Sequence, residues 1–245
     1  MKNRLHFVCD ATDKSDVVMK DDARSIFYER NMPHYQPHDA AYSVMMRLAG
    51  SLPAEVIEQL RKERDEYLKN LLGKISDKQR AERTRPYASQ HFEKFQLLLD
   101  RQTKGPLWLK KPAIAEIVST AMYYWDAKAY ELLAYCIMPN HVHATIAIGS
   151  ASSIPLPKFP LKGQTPYVVT NILASIKKHS AKRANKVLGR SGAFWQDETY
   201  DHVIRDEQEL ERAIWYVLLN PVTVGLIDDW KKWHWSYVKP GLVET

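Results

Sequence analysis

The sequence predicts an α+β fold, a central antiparallel sheet covered by helices. Three observations lead there. Apolar runs of strand length occupy residues 40–48, 130–138 and 141–148. The last two runs are separated only by Pro139-Asn140, which suits a tight hairpin. The remaining segments mostly repeat their apolar residues at helical spacing, so the order is strand, helices, strand, strand, helix, strand, helix.

Each element has its local reason. Residues 1–39 are polar and without a clear period; HYQPHD (34–39) reads as an extended lead-in, because Pro37 disfavours helix just before it. AAYSVMMRL (40–48) is a short apolar strand closed by Gly50 and Pro53. Pro53 opens a helix in which Val56, Leu60, Tyr67 and Leu71 keep helical spacing, with Gly73 as its terminator. Residues 76–100 form a second, charged helix whose KQRAERTR run (78–85) suits a solvated face more than a DNA contact. Pro112 opens a third, with Ile114, Ile117, Val118, Ala121 and Met122 on one side. YELLAYCIM (130–138) and HVHATIAI (141–148) are the paired strands, and a Pro/Ser-rich connection covers 150–166. Helical spacing returns over 167–188, and 194–204 read as a strand. Asp206 with Glu209 makes a capping box, Asp replacing Ser/Thr, for a last helix that Pro221 and Gly225 terminate. The tail, DDWKKWHWSY, is dense in Trp. No internal repeat divides the chain. It reads as one domain with a core over about 30–238 and a helical insertion over 54–105.

Composition narrows the class. The 245 residues are 45% hydrophobic and 26% charged, enough for one sizeable core. Two cysteines, Cys9 and Cys136, exclude a disulfide scaffold and point to the cytosol. Cys136 reads as a small buried apolar residue. No apolar run reaches the ~20 residues of a membrane helix. The opening MKNRLHFVCDATDKSD lacks the apolar stretch of a secretory signal. Lys plus Arg exceed Asp plus Glu by 35 to 29, a net +6 that permits a polyanionic partner without demanding one.

Two features carry chemistry. In His141-Val142-His143, residues i and i+2 of a strand point to the same face. Two imidazoles side by side are a bidentate metal platform, with Val142 turned into the core. The same spacing also fits two polar residues on a solvated strand face. In the last helix, Leu210, Ala213, Ile214 and Val217 form a core stripe. Tyr216 lies off that stripe, flanked at i−4 and i+4 by Arg212 and Asn220. It fits an interfacial tyrosine with an exposed hydroxyl, or a nucleophile beside a metal that stabilises phosphoryl charge.

The blocks around these residues are more specific. YCIMPNHVHA (135–144) resembles the histidine–hydrophobe–histidine motif of single-tyrosine HUH transposases. SGAFWQDETYDHVIRD (191–206) and YVLLNPVTVGL (216–226) resemble the downstream blocks of REP-associated tyrosine transposases, and 32–53 is similar to that family's first strand region. The first strand departs from it, with Tyr42-Ser43-Val44-Met45-Met46-Arg47 where relatives more often read YFVTFR.

The resemblance implies a ferredoxin-like core, a tyrosine-bearing C-terminal helix and single-strand DNA cleavage through a covalent 5′-phosphotyrosine. It matches His141 and His143 to the metal histidines, Tyr216 to the nucleophile and Asn220 to the polar third ligand. It further implies Mg2+ or Mn2+, a single-stranded or hairpin DNA partner, a bacterial cytoplasmic location at the nucleoid, and a possible homodimer. In a dimer, Tyr216 of one copy would serve the histidines of the other. A hairpin-DNA-binding protein without turnover is the alternative, and water in place of tyrosine as nucleophile is another. Lys178, Lys182 and Lys186 share a helix face that suits a phosphate backbone or plain solvation. Arg212 suits a phosphate contact or a pair with Glu209; Trp195, Trp230, Trp233 and Trp235 suit base stacking or packing. Asp201 and His202 have no assigned step.

Overall fold

The computed structural model describes residues 26–29, 33–37, 39–71, 77–101, 105–149, 152, 168–197 and 199–243. Gly73 and nearly all of the 150–166 connection lie outside them. Two short strands, β1 (Ile26–Glu29) and β2 (Pro33–Gln36), pair as an antiparallel hairpin. The stretch before residue 40 is therefore not irregular throughout: Ile26, Phe27 and Tyr28 supply strand-forming residues too few in number to show a period.

The main sheet has five strands in the order β6-β3-β5-β4-β7, every neighbouring pair antiparallel. They are β3 (Ala40–Arg47), β4 (Glu131–Ile137), β5 (His141–Ile148), β6 (Tyr200–Ile204) and β7 (Ser236–Val238). Helices α1 (Ala54–Leu71), α2 (Asp77–Asp100) and α3 (Pro112–Trp125) lie between β3 and β4. Helix α4 (Val168–Val187) joins β5 to β6, and α5 (Glu207–Thr223) follows β6. With α3 and α4 as the crossovers, β3, β4, β5 and β6 form the β-α-β-β-α-β pattern of an α+β ferredoxin-like sheet.

The central strand β5 is buried on both faces. Val142, Ala144, Ile146 and Ile148 join the main core, where Ile114, Val118 and Met122 of α3 meet Ile172, Leu173 and Ile176 of α4. The odd residues turn the other way. There Ala134 and Cys136 of β4, with Met138 just beyond it, pack under Ile214, Val217 and Leu218 of α5. Beside them Met45 and Tyr200 pack against Leu99, with Phe92 and Phe95 at the edge. The face carrying His141 and His143 is thus roofed by α5 and α2, not solvated.

Two boundaries differ from expectation. The strand read over 194–204 begins only at Tyr200; Phe194 and Trp195 are buried outside it, and Trp195 makes an isolated bridge to Leu48. Packing rather than pairing uses their apolar surface. Pro221 does not end α5 but sits in its last turn, two residues before its end, where its missing N–H removes one i−4 bond. Gly225, at φ +72°, turns the chain away; its N–H bonds Val222 O and the Leu226 N–H bonds Pro221 O.

Candidate active site

The hairpin between β4 and β5 sets the first histidine. The Met138 N–H bonds His141 O at 2.8 Å, closing a turn through Pro139 and Asn140. Asn140 is buried; its Nδ2 donates to Leu99 O at 3.0 Å, which orients its Oδ1 towards His141 Nδ1, 2.7 Å away. His141 Nδ1 therefore carries a proton and Nε2 presents a lone pair. His143, two residues on, has Gln96 Nε2 at 3.3 Å from its Nε2, while its Nδ1 has no hydrogen-bond partner. The two rings stand nearly perpendicular, centroids 4.7 Å apart, and each histidine is 1% exposed. Burial holds both imidazoles neutral: it pushes His141 down to about 3 and His143 well below the ordinary histidine range.

Helix α5 brings the other half. Glu209 N–H donates to Asp206 Oδ1 at 2.7 Å, so the cap read from the sequence forms. The return bond from the Glu209 carboxylate goes to the Arg205 N–H at 3.0 Å. Ile214, Val217 and Leu218 seat the helix, which leaves Tyr216 facing His143, with Asn220 one turn on. Tyr216 is 38% exposed, but its hydroxyl is turned inward and accepts from Asn220 Nδ2 at 3.3 Å. Its ring meets His143 edge-on, centroids 5.5 Å apart. Burial first, then the nearby Asp100 carboxyl, raises the Tyr216 hydroxyl above the ordinary tyrosine range, and the Asn220 hydrogen bond opposes them. The four expected residues His141, His143, Tyr216 and Asn220 thus stand together within one chain.

The donor set fits a divalent ion. His141 Nε2 and Asn220 Oδ1 are sealed from solvent without a hydrogen-bond partner, as is Asp100 Oδ1, and His143 would ligate through its unprotonated ring nitrogen. Imidazole nitrogen and amide or carboxylate oxygen suit Mn2+, with Mg2+ favouring the oxygens. Among the described residues no three His, Cys, Asp or Glu side chains stand together as a metal site by themselves.

The other expected residues are elsewhere. Lys178, Lys182 and Lys186 are exposed on α4, whose packed side lies on the opposite face of the sheet. Arg212 is exposed on α5, one turn before Tyr216. Glu209 holds His202, Nε2 to Oε1 at 2.9 Å, and Asp201 accepts from Gln36 at 3.1 Å; both contacts tie β6 to its neighbours. Trp195 packs: its Nε1 donates to Ser180 Oγ at 2.9 Å. Trp233 donates to Ile137 O at 3.2 Å, and Trp230 meets Trp215 edge-on. Cys136 is buried, its thiol pushed up to about 12, as a small apolar residue would be placed.

Three residues at the site escaped sequence reasoning: Asn140, Gln96 and Asp100. The signal for the last two was the i, i+4 spacing of Phe92, Gln96 and Asp100 along α2.

No family model matches the chain. It is 25% identical over 143 residues to a Haemophilus influenzae protein provisionally named a REP-associated tyrosine transposase, covering 58% of this chain and 76% of that one. A solved structure described as a REP-associated tyrosine transposase bound to a REP hairpin overlaps 89% of this chain and 90% of its own, at 12% identity. The TM-score is 0.45. The family read as a resemblance in the sequence is thus the one named for the Haemophilus relative, and this chain is similar to it.

Proposed function

We propose that this protein cleaves and rejoins single-stranded DNA at hairpins, with Tyr216 as nucleophile. One observation carries the reading: the Tyr216 hydroxyl, held by Asn220 and set against His143, borders buried donor atoms that have no protein partner. The name of the Haemophilus relative supports the same class of activity.

His141, His143 and Asn220 would hold Mg2+ or Mn2+. An ion there supplies stabilisation of negative charge on the phosphoryl oxygens. The chain does the rest. Asn220 divides its carboxamide, Nδ2 fixing the Tyr216 oxygen and Oδ1 left for ligation. Asn140 fixes the His141 tautomer from the far side of the ring. Tyr216 gives up its proton as its oxygen bonds to phosphorus. The bond from phosphorus to the 3′ oxygen breaks, and that oxygen leaves as a 3′-hydroxyl carrying a proton. Attack by a different 3′-hydroxyl reverses the step and frees the tyrosine, so rejoining needs no outside energy source. Tyr216 faces its own chain's His143, and one copy suffices for this geometry.

The test is labelled hairpin DNA from the sequence flanking the protein's own gene, incubated with Mn2+ and run on a denaturing gel. The wild type is expected to give a covalent protein–DNA band and Tyr216→Phe none. Cleavage without an adduct would make water the nucleophile. Tight binding without cleavage across several hairpins would favour a DNA-binding protein without turnover.

A further inference from the structure

We infer that Asp100, the last residue of α2, is an additional metal ligand that closes the site from the roof helix. The inference rests on the metal reading of His141, His143 and Asn220 proposed above. It extends that site to an element outside the four-stranded core.

The argument begins at His141. Its Nδ1–H is committed to Asn140, so its Nε2 lone pair points to the other side of the ring. There, at 3.8 Å, lies Asp100 Oδ1. Both atoms are sealed from solvent, and neither has a hydrogen-bond partner. Two electron-pair donors aimed at each other are unfavourable unless a cation stands between them. The separation suits that arrangement. Two ligands each ~2.1 Å from one ion lie ~3.0–4.2 Å apart as the angle at the ion opens from 90° to 180°.

The carboxylate is on the wrong side to act through the ring. A positioning carboxylate bonds the ring nitrogen remote from the metal. That place is taken by Asn140, and Asp100 faces the ligating nitrogen. The packing also fixes it there. Leu99 is fully buried between Met45 and Tyr200, and its carbonyl accepts from Asn140, so the end of α2 is pinned to the β4–β5 turn. One turn earlier, Gln96 reaches His143. Helix α2 therefore contacts both histidines, through Gln96 and Asp100. A hard carboxylate beside two imidazoles shifts the set towards Mn2+ and Mg2+.

The experiment is Mn2+ binding by calorimetry on the full chain, with Co2+ absorption in parallel, for wild type, His141→Ala, Asp100→Ala, Asp100→Asn and Asp100→Glu. His141→Ala is expected to abolish binding. Asp100→Ala and Asp100→Asn are expected to weaken Mn2+ binding by about tenfold or more and to change the cobalt d–d bands, and Asp100→Glu to retain more affinity than either. Circular dichroism establishes that each variant is folded, and the near-isosteric Asp100→Asn serves if the alanine variant is not. Wild-type affinity in the Asp100 variants would overturn the inference and leave the His141–His143–Asn220 site standing. Weaker binding with unchanged cobalt bands would put Asp100 outside the coordination sphere and overturn it too. A wild type that binds neither ion would overturn both, and the tyrosine adduct is scored separately.

Discussion

The carboxamide of Asn140 joins two elements through two opposed hydrogen bonds, one given to Leu99 O at the end of α2 and one taken from His141 Nδ1. Both groups it serves are buried beside the site, so each bond excludes an alternative partner. Asn140→Ala would strand the Leu99 carbonyl and the His141 N–H together. The expected cost is ~1–3 kcal/mol per stranded group, read as a lower urea midpoint in the presence of chelator. The same change frees the imidazole to rotate and to change tautomer, so Mn2+ affinity should fall by ~10–100-fold in calorimetry. Unchanged affinity would mean that packing alone orients His141. Tyr216→Phe makes the opposite case. It removes a hydroxyl held by one 3.3 Å bond on a side chain that is 38% exposed, so stability should stay within ~1 kcal/mol while adduct formation disappears.

Helix α5 places Tyr216, and its start is set by one side chain. Asp206 Oδ1 accepts the Glu209 N–H, and the Glu209 carboxylate in turn holds His202 and the Arg205 N–H. Asp206→Ala should lower stability by ~1 kcal/mol without altering Mn2+ affinity, because Ile214, Val217 and Leu218 still seat the helix. A matching loss of metal affinity would show that the cap also sets the position of Asn220. This helix was legible in the sequence because its signals are local: a cap at a fixed offset and a 3.6-residue stripe. The β5 pair was legible for the same reason, through a period of two. The role of α2 was not. Its charged residues dominate its composition, and its contact with the sheet depends on how the chain passes through 101–111 and returns. Gln96 and Asp100 therefore carry no local signal that points to the sheet. Trp195 was ambiguous because its partner, Ser180, is fifteen residues away on another element. Pro221 was misread because α5 runs only two residues beyond it, so the single i−4 bond it lacks does not stop the helix before Thr223.

Across the whole molecule, buried titratable groups set how stability answers pH. Burial lowers His141, His143 and His91, so below the unfolded histidine value of ~6.5 the unfolded chain binds protons that the folded chain refuses. Stability should then fall with pH, by up to ~1.4 kcal/mol per unit for each histidine. Asp100 works against this. Burial raises its carboxyl to about 6, so the folded chain gains that proton before an unfolded aspartate near ~3.9 does. Two fully refused protons, at His141 and His143, outweigh the one gained early. In chelator, urea unfolding should lose about 2 kcal/mol between pH 7.5 and 5.5. A flat profile would mean that the imidazoles gain protons in the folded chain as easily as in the unfolded one. Mn2+ should sharpen the dependence through Asp100, because both imidazoles are neutral in the folded chain at either pH while the Asp100 carboxyl, raised to about 6, must lose its proton to ligate. If the added stability were equal at the two pH values, the ion would be held by the histidines and Asn220 without the Asp100 carboxylate.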